Sequence, residues 1–208
     1  MKLVSLLSSG IDSPVATYMM LEKGAEVVAL HFWGEPYTDE NALKRFTQIV
    51  AQLEEVSGRR IKAGYIPLGV RRFRMASECD RKIQCVLCKR MMYQTAEKIA
   101  EKENASALLT GEAIGQVASQ TLANILAIDK SVTIPVIRPL IGFDKQEIIE
   151  RARAIGTYDI STQKGLCCGL VPKKPATAAK DEAIAAAEEK LDARAMVAEA
   201  AEEVTWLT

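Results

Sequence analysis

The stretch SLLSSGIDSPVA, residues 5–16, decides how this chain is read. Residues 4–7 form a short apolar strand, and residues 13–23 carry apolar positions at helical spacing, with Gly24 placed to close the helix. Between them lie Ser8, Ser9, Gly10, Ile11, Asp12 and Ser13, mostly small or polar, at the mouth of that helix. A turn of this kind leaves backbone N–H groups pointing outward, and the helix's positive end adds to their pull on an anion. One reading is a phosphate cradle: Gly10 admits close approach, Ser8, Ser9 and Ser13 offer hydroxyls, and Asp12 holds magnesium or orients an attacking group. The other is a capped helix start, where Ser and Asp are common. A Walker-type P-loop is excluded, because no Gly-Lys-Ser/Thr follows.

The pattern repeats along the chain. Strand-like segments are expected at residues 25–32, 60–67, 105–110 and 133–137, and helices at 39–56, 85–102 and 144–155. Strands alternating with helices imply an α/β fold, a parallel sheet flanked by helices on both faces. Ligands of such sheets bind where the strands' carboxyl ends open into loops, and the 8–13 segment lies at such a place. Past Pro175 the chain becomes Ala- and Glu-rich, so residues 1–175 read as the α/β unit and 176–208 as a C-terminal helical extension.

With 208 residues, 49% of them apolar, the chain can build a substantial core. It shows no apolar run of membrane-spanning length and no secretory signal, so a cytoplasmic protein is expected. The 27 basic and 27 acidic residues cancel but are segregated. Arg59, Arg60, Lys62, Arg71, Arg72, Arg74, Arg81, Lys82, Lys89 and Arg90 crowd the middle, while Glu188, Glu189, Glu199, Glu202 and Glu203 crowd the end. The basic centre reads equally as a solvated face or as a polyanion site. The five cysteines, Cys79, Cys85, Cys88, Cys167 and Cys168, are clustered, which suits redox or metal chemistry better than a secreted disulfide framework. Cys85 and Cys88 share a helix face and could ligate metal, form a redox pair or fill a core.

Residues 8–13, Ser-Ser-Gly-Ile-Asp-Ser, resemble the SGGxDS signature of the PP-loop ATP pyrophosphatases, and LLSSGIDSPVA resembles their tRNA 4-thiouridine synthetase branch. Ser9 departs from the pattern, which usually has a second glycine there. The resemblance continues in order through HFWGEPYT, CVLCKRMMYQTAEKIAE, LLTGEAIGQVASQTLANI, PVIRPLIGFDKQEII and CCGLVPKKPAT, spanning about residues 1–180. It implies a Rossmann-like, adenine nucleotide alpha hydrolase-like fold that binds ATP and Mg2+. The implied enzyme is a tRNA sulfurtransferase: it adenylates a uridine, releases pyrophosphate and lets sulfur displace AMP, giving 4-thiouridine. The implied ATP contacts are Leu6, Leu7, His31 and Phe32 around the adenine, the 8–13 loop, Lys89, Gly111 and Gln120. His31, the only histidine, reads more readily as a pocket wall than as a base. Cys168 is implied to carry or resolve persulfide sulfur, and Cys85 and Cys88 to act with it as a relay or as ligands of an iron–sulfur cluster. Lys89, Arg90, Lys173 and Lys174 are expected to favour their thiolates. Cys79 has no implied role.

The family usually carries an N-terminal THUMP-containing RNA-binding region, and many bacterial members add a rhodanese; neither is expected within these residues. RNA would then be gripped by the basic centre or by a separate THUMP-containing chain, with sulfur from a cysteine desulfurase or sulfide, and a homodimer is among the expected states. Two alternatives stand beside this reading. One is a small-molecule PP-loop ligase whose cysteines hold a structural metal. The other is a non-catalytic ATP-binding subunit of a THUMP-containing complex.

Overall fold

A computed structural model describes residues 1–38, 41–165 and 168–207. Strand β1 (Lys2–Leu6) runs parallel between β2 (Glu26–Trp33) and β4 (Ala107–Leu109). On one side β2 pairs in parallel with β3 (Lys62–Pro67), and on the other β4 pairs in parallel with β5 (Val136–Ile137). A last strand, β6 (Thr205–Trp206), lies antiparallel to β3, so the order is β5-β4-β1-β2-β3-β6. The chain therefore winds outward from β1 to β3 and then crosses back to place β4 on the other flank of β1. That reversal opens a crevice between the carboxyl ends of β1 and β4.

Alternation along the strands builds the two faces. Val4, Leu6, Val28 and Leu30 join one apolar cluster, with α3 (Gly69–Glu78), α4 (Gln84–Glu103), α8 (Asp181–Leu191) and α9 (Ala193–Glu202) contributing residues to it. Val27 and Ala29 join a second cluster, under α1 (Asp12–Glu22), α2 (Ala42–Ser57) and α6 (Lys145–Ala154). The short α5 (Leu122–Asp129) and α7 (Tyr158–Ser161) complete the helices among the described residues. Helices thus cover both faces, as the near-continuous apolar strands require.

Of the helix expected at 39–56, residues 39 and 40 lie outside the described residues, and α2 is seen from Ala42. Helix α3 falls in the basic run, whose charges hid its few apolar anchors, Met75 among them. The helices of the 176–208 extension bury Ile184, Leu191, Met196 and Val197 in the same cluster as α4. Its charges are answered by the basic middle: Arg71–Glu203, Arg90–Glu188 and Lys102–Glu202 all close at 2.7 Å. Arg71 and Arg90 of the basic centre thus face the acidic end of this same chain. No helix among the described residues is long and apolar enough to cross a membrane.

Candidate functional site

Strand β1 stops at Leu6, and the Leu7 N–H reaches the Leu30 carbonyl at 2.9 Å, holding the chain against β2 as it turns. Ser13 Oγ then accepts from the Ser8 N–H and meets Ser8 Oγ, each at 2.9 Å, while Ser8 Oγ accepts from the Gly10 N–H at 3.2 Å. These two hydroxyls brace the loop itself. Helix α1 starts after Ile11 with no side-chain cap, so its serines and Asp12 are not caps and its first amides face outward. A methyl group added to Gly10 would meet only Ser8 Oγ, at 3.4 Å. The space over that glycine is open. Asp12, in the first turn, pairs with Lys145 Nζ at 2.5 Å, and the Ser161 hydroxyl donates to the Gly10 carbonyl at 3.2 Å.

The loop after β4 presses against this turn. A Cβ on Gly111 would lie 2.5 Å from Ser13 N and 2.6 Å from Ser13 Cα, closer than any side chain tolerates. Between the two loops a cleft of about 210 Å³ is lined by Leu6, Ser8, Gly10, Ile11, Asp12 and Ser13 on one side, and by Lys89, Gly111 and Gln120 on the other. Larger hollows, 480 Å³ beside α8 and α9 and 620 Å³ along the edge of β3, contain none of the expected ATP contacts and none of the cysteines.

Leu7, Ser9, His31 and Phe32 do not line the cleft wall. Because Leu30 turns its carbonyl toward β1, Phe32, two residues on, turns its main-chain groups the same way, beyond the point where β1 pairing ends. His31 points elsewhere: it is buried, stacks on Phe46 at 4.9 Å, and donates from Nδ1 to the Leu7 carbonyl at 3.1 Å. Burial lowers its pKa to about 4, aided by Arg72 and Arg45, so it stays neutral near pH 7.

The inner wall of the cleft, to which Tyr93, Thr110 and Glu112 contribute, holds a charged cluster that sequence reasoning missed. Glu112, only 5% exposed, accepts from Lys89 Nζ at 2.5 Å, Tyr93 Oη at 2.6 Å, Arg138 Nε at 2.8 Å and Thr110 Oγ1 at 3.3 Å. Arg138 in turn holds Asp129. Burial would raise the Glu112 pKa, but Lys89, Tyr93 and Arg138 outweigh it and hold the carboxyl down at about 2. A signal was present, since Glu112 is the only charged residue between Glu103 and Asp129. Lys145 and Arg72 were also missed.

On the start of α4, Cys85 lies one turn before Lys89 and Cys88 directly precedes it. Cys88 and Cys168 both come close enough to Cys85 for their sulfurs to affect it, and Arg72 of α3 lies within reach of all three. Burial opposes the Arg72 charge, yet the sulfurs of Cys88, Cys168 and Cys85 raise its pKa. Burial pushes the Cys85 thiol up, as do the neighbouring sulfurs, against the pull of Lys89 and Arg72. The expected cation set is thereby revised, because Arg90 turns away to Glu188 and Arg72 takes the central place. The Cys168 loop is pinned by the Gly169 N–H on the Tyr37 carbonyl at 2.8 Å. Cys79 stands apart near the Ala187 carbonyl, and Cys167 lies outside the described residues.

Known proteins match this arrangement closely. The family model described as thiamine biosynthesis protein (ThiI) matches residues 1–193. A probable tRNA sulfurtransferase of Methanothermobacter thermautotrophicus is 47% identical over 203 residues, covering 95% of this chain and 51% of that protein. One from Methanosarcina mazei is 44% identical over 200 residues, covering 96% and 49%. A crystal structure of a 4-thiouridine synthetase in complex with RNA and bound ATP superposes with a TM-score of 0.93 at 38% identity, covering 99% of this chain and 54% of that one. The chain spans about half the length of the curated relatives it matches. On the strength of its match from residue 1 to residue 193, the chain belongs to the ThiI family.

Proposed function

We propose that this chain carries out ATP-dependent thiolation of tRNA, forming 4-thiouridine. The observation that carries the reading is the uncapped start of α1, opening with the bare face of Gly10 onto a cleft that Lys89 also lines. Outward amides and a fixed ammonium suit a triphosphate. The RNA complex with bound ATP, at 38% identity, supports the same use of the cleft.

The uridine carbonyl oxygen attacks the α-phosphorus of ATP; an O–P bond forms, and pyrophosphate leaves with the electrons of the bond it loses. The loop amides and Lys89 stabilise the charge that gathers on the departing group. The outer sulfur of a persulfide on Cys168 then adds to the activated carbon, and AMP leaves with the C–O electrons. A neighbouring cysteine thiolate attacks the Cys168 sulfur, freeing the thiolated base and leaving a disulfide that an external thiol reduces. Arg72 keeps a cation among these sulfurs throughout.

Asp12 would hold magnesium together with phosphate oxygens, and the ion would supply charge neutralisation on the triphosphate. The residues fit that role, since magnesium sites of this kind need one or two carboxylates and the substrate's own oxygens. An iron–sulfur cluster does not fit the arrangement. Among the described residues no three His, Cys, Asp or Glu side chains are grouped to hold a metal ion, and the Arg72 cation lies beside the sulfurs. No step is therefore drawn through a cluster. With Arg71 and Arg90 paired to the acidic end, and Arg60, Lys62 and Arg74 held by Glu54, Glu103 and Glu78, we assign the tRNA grip to a THUMP-containing region or chain.

The test is to incubate the full chain with tRNA, Mg-ATP, a cysteine desulfurase with cysteine as the persulfide donor, and a reducing thiol, measuring pyrophosphate and the nucleosides of digested tRNA by mass spectrometry. Pyrophosphate that rises with tRNA, together with a thiolated uridine, supports the proposal. Equal release without RNA favours the small-molecule ligase, and ATP uptake without turnover favours the non-catalytic subunit.

A further inference from the structure

Lys89 hangs on a flexible four-carbon stem, so left alone its ammonium would sweep a wide arc over the cleft. The structure does not leave it alone. One ammonium hydrogen is taken by Glu112 Oε1 at 2.5 Å, while the Lys89 side chain stays 24% exposed on the cleft side. Glu112 is itself immobilised. Its other donors come from separate parts of the fold: Tyr93 from α4, Thr110 from the end of β4, and Arg138 from the residue after β5. Arg138 is held from behind by Asp129, at the end of α5. Moving the carboxylate would take the acceptor from the buried Tyr93 hydroxyl and one of two carboxylate partners from Arg138, each a costly loss.

The charges explain why such an anchor does not repel a triphosphate. Glu112 and Asp129 are matched by Lys89 and Arg138, so the cluster is neutral as a whole while its outermost member, the ammonium, faces the cleft. An anion approaching from that side meets the cation first. The low pKa of Glu112 agrees with a carboxylate that remains charged throughout the working pH range.

We infer that Glu112 is a positioning residue for the nucleotide: by holding Lys89 through a rigid four-donor carboxylate, it fixes the ammonium where the phosphates of ATP lie. The inference rests on the ATP reading of the cleft and adds to it a residue that acts only through another. It accounts for a buried acid placed beside an anion site, where a carboxylate without such a role would weaken binding.

The experiment is a double-mutant cycle on the full chain, using Glu112→Asp and Lys89→Met, singly and together, with Mg-ATP and adenosine affinities measured by calorimetry. Glu112→Asp keeps the cluster's charge and draws the anchor back by one methylene, so long-range electrostatics stay constant. The expected result is a fivefold to tenfold loss of Mg-ATP affinity in the Lys89 chain, less than a twofold change beside Lys89→Met, and unchanged adenosine binding in all four. Equal losses in both backgrounds, or losses shared by adenosine, would show that Glu112 acts through the fold and overturn the inference. Wild-type affinity in Glu112→Asp would also overturn it. A wild-type chain that binds adenosine and no Mg-ATP would instead remove the ATP reading itself. Thermal melting of each variant identifies any that fail to fold, and Tyr93→Phe, which loosens the anchor without touching a charge, then takes the place of Glu112→Asp in the same cycle.

Discussion

Gly111→Ala tests how closely the two loops of the cleft depend on each other. The added methyl would start 2.5 Å from Ser13 N, 2.6 Å from Ser13 Cα and 2.7 Å from Asp12 C, all of them main-chain atoms that no rotamer change can remove. Ordinary contact needs about 3.5–4.0 Å, so the turn after β4 and the start of α1 must part by roughly 1 Å. Ser13 cannot give way alone, because its hydroxyl bridges the Ser8 N–H and the Ser8 hydroxyl, each at 2.9 Å. The whole loop would shift. Overpacking of this kind costs about 1–3 kcal/mol, and a chain of this size should melt lower by roughly 3 °C for each kcal/mol. The larger effect falls on the site, since a displacement of about 1 Å can cost on the order of 100-fold in a step that depends on alignment. Calorimetry with Mg-ATP and tRNA-dependent pyrophosphate release, beside a thermal melt, give the three readouts. A variant that melts within 1 °C of wild type and binds Mg-ATP equally, with roughly that precision, would refute the claim that these loops form one site.

Other outcomes follow from the same structure. His31, whose pKa burial lowers to about 4, binds a proton more readily unfolded than folded between pH 6.5 and 4, so its stabilisation is complete above 6.5 and lost as pH falls. Denaturant unfolding should show a loss of about 2 kcal/mol from pH 7.5 to 5 that His31→Gln abolishes. Glu112, held at about 2, contributes stability that is present above its unfolded value near 4.5 and lost between there and 2, so Glu112→Gln should flatten that acid limb of the unfolding curve. Removal of residues 176–208 takes Ile184, Leu191, Met196 and Val197 out of the main cluster; at about 1.5–3 kcal/mol each this rivals the whole stability of a domain, and the truncated chain should lose its cooperative melt. Cys168→Ser should leave Mg-ATP affinity within about twofold and abolish thiouridine in the mass spectrum, because Cys168 does not line the nucleotide cleft.

The strand and helix alternation, and the place of the 8–13 loop at a strand end, were legible because both follow from local periodicity. What escaped notice depends on contacts distant in the chain. Glu112 acquires its meaning from Arg138, Lys89 and Tyr93, which only the strand order gathers. Arg72 looked like one charge in a basic run until the fold set it among three cysteines, flat against Gly34, where any Cβ would collide with its guanidinium. The apparent polyanion face had the opposite fate, as Arg71 and Arg90 found their partners near the far end of the chain. Strand β6 is two residues long and follows an Ala- and Glu-rich helical stretch, so no pattern announced it.

Hydrogen exchange of the full chain, with and without Mg-ATP, addresses the cleft itself. Slower exchange is predicted in peptides spanning Ser8–Ser13 and Thr110–Glu112, the two loops that meet at Gly111. Unchanged exchange in both, or protection confined to the hollow beside α8 and α9, would contradict the account.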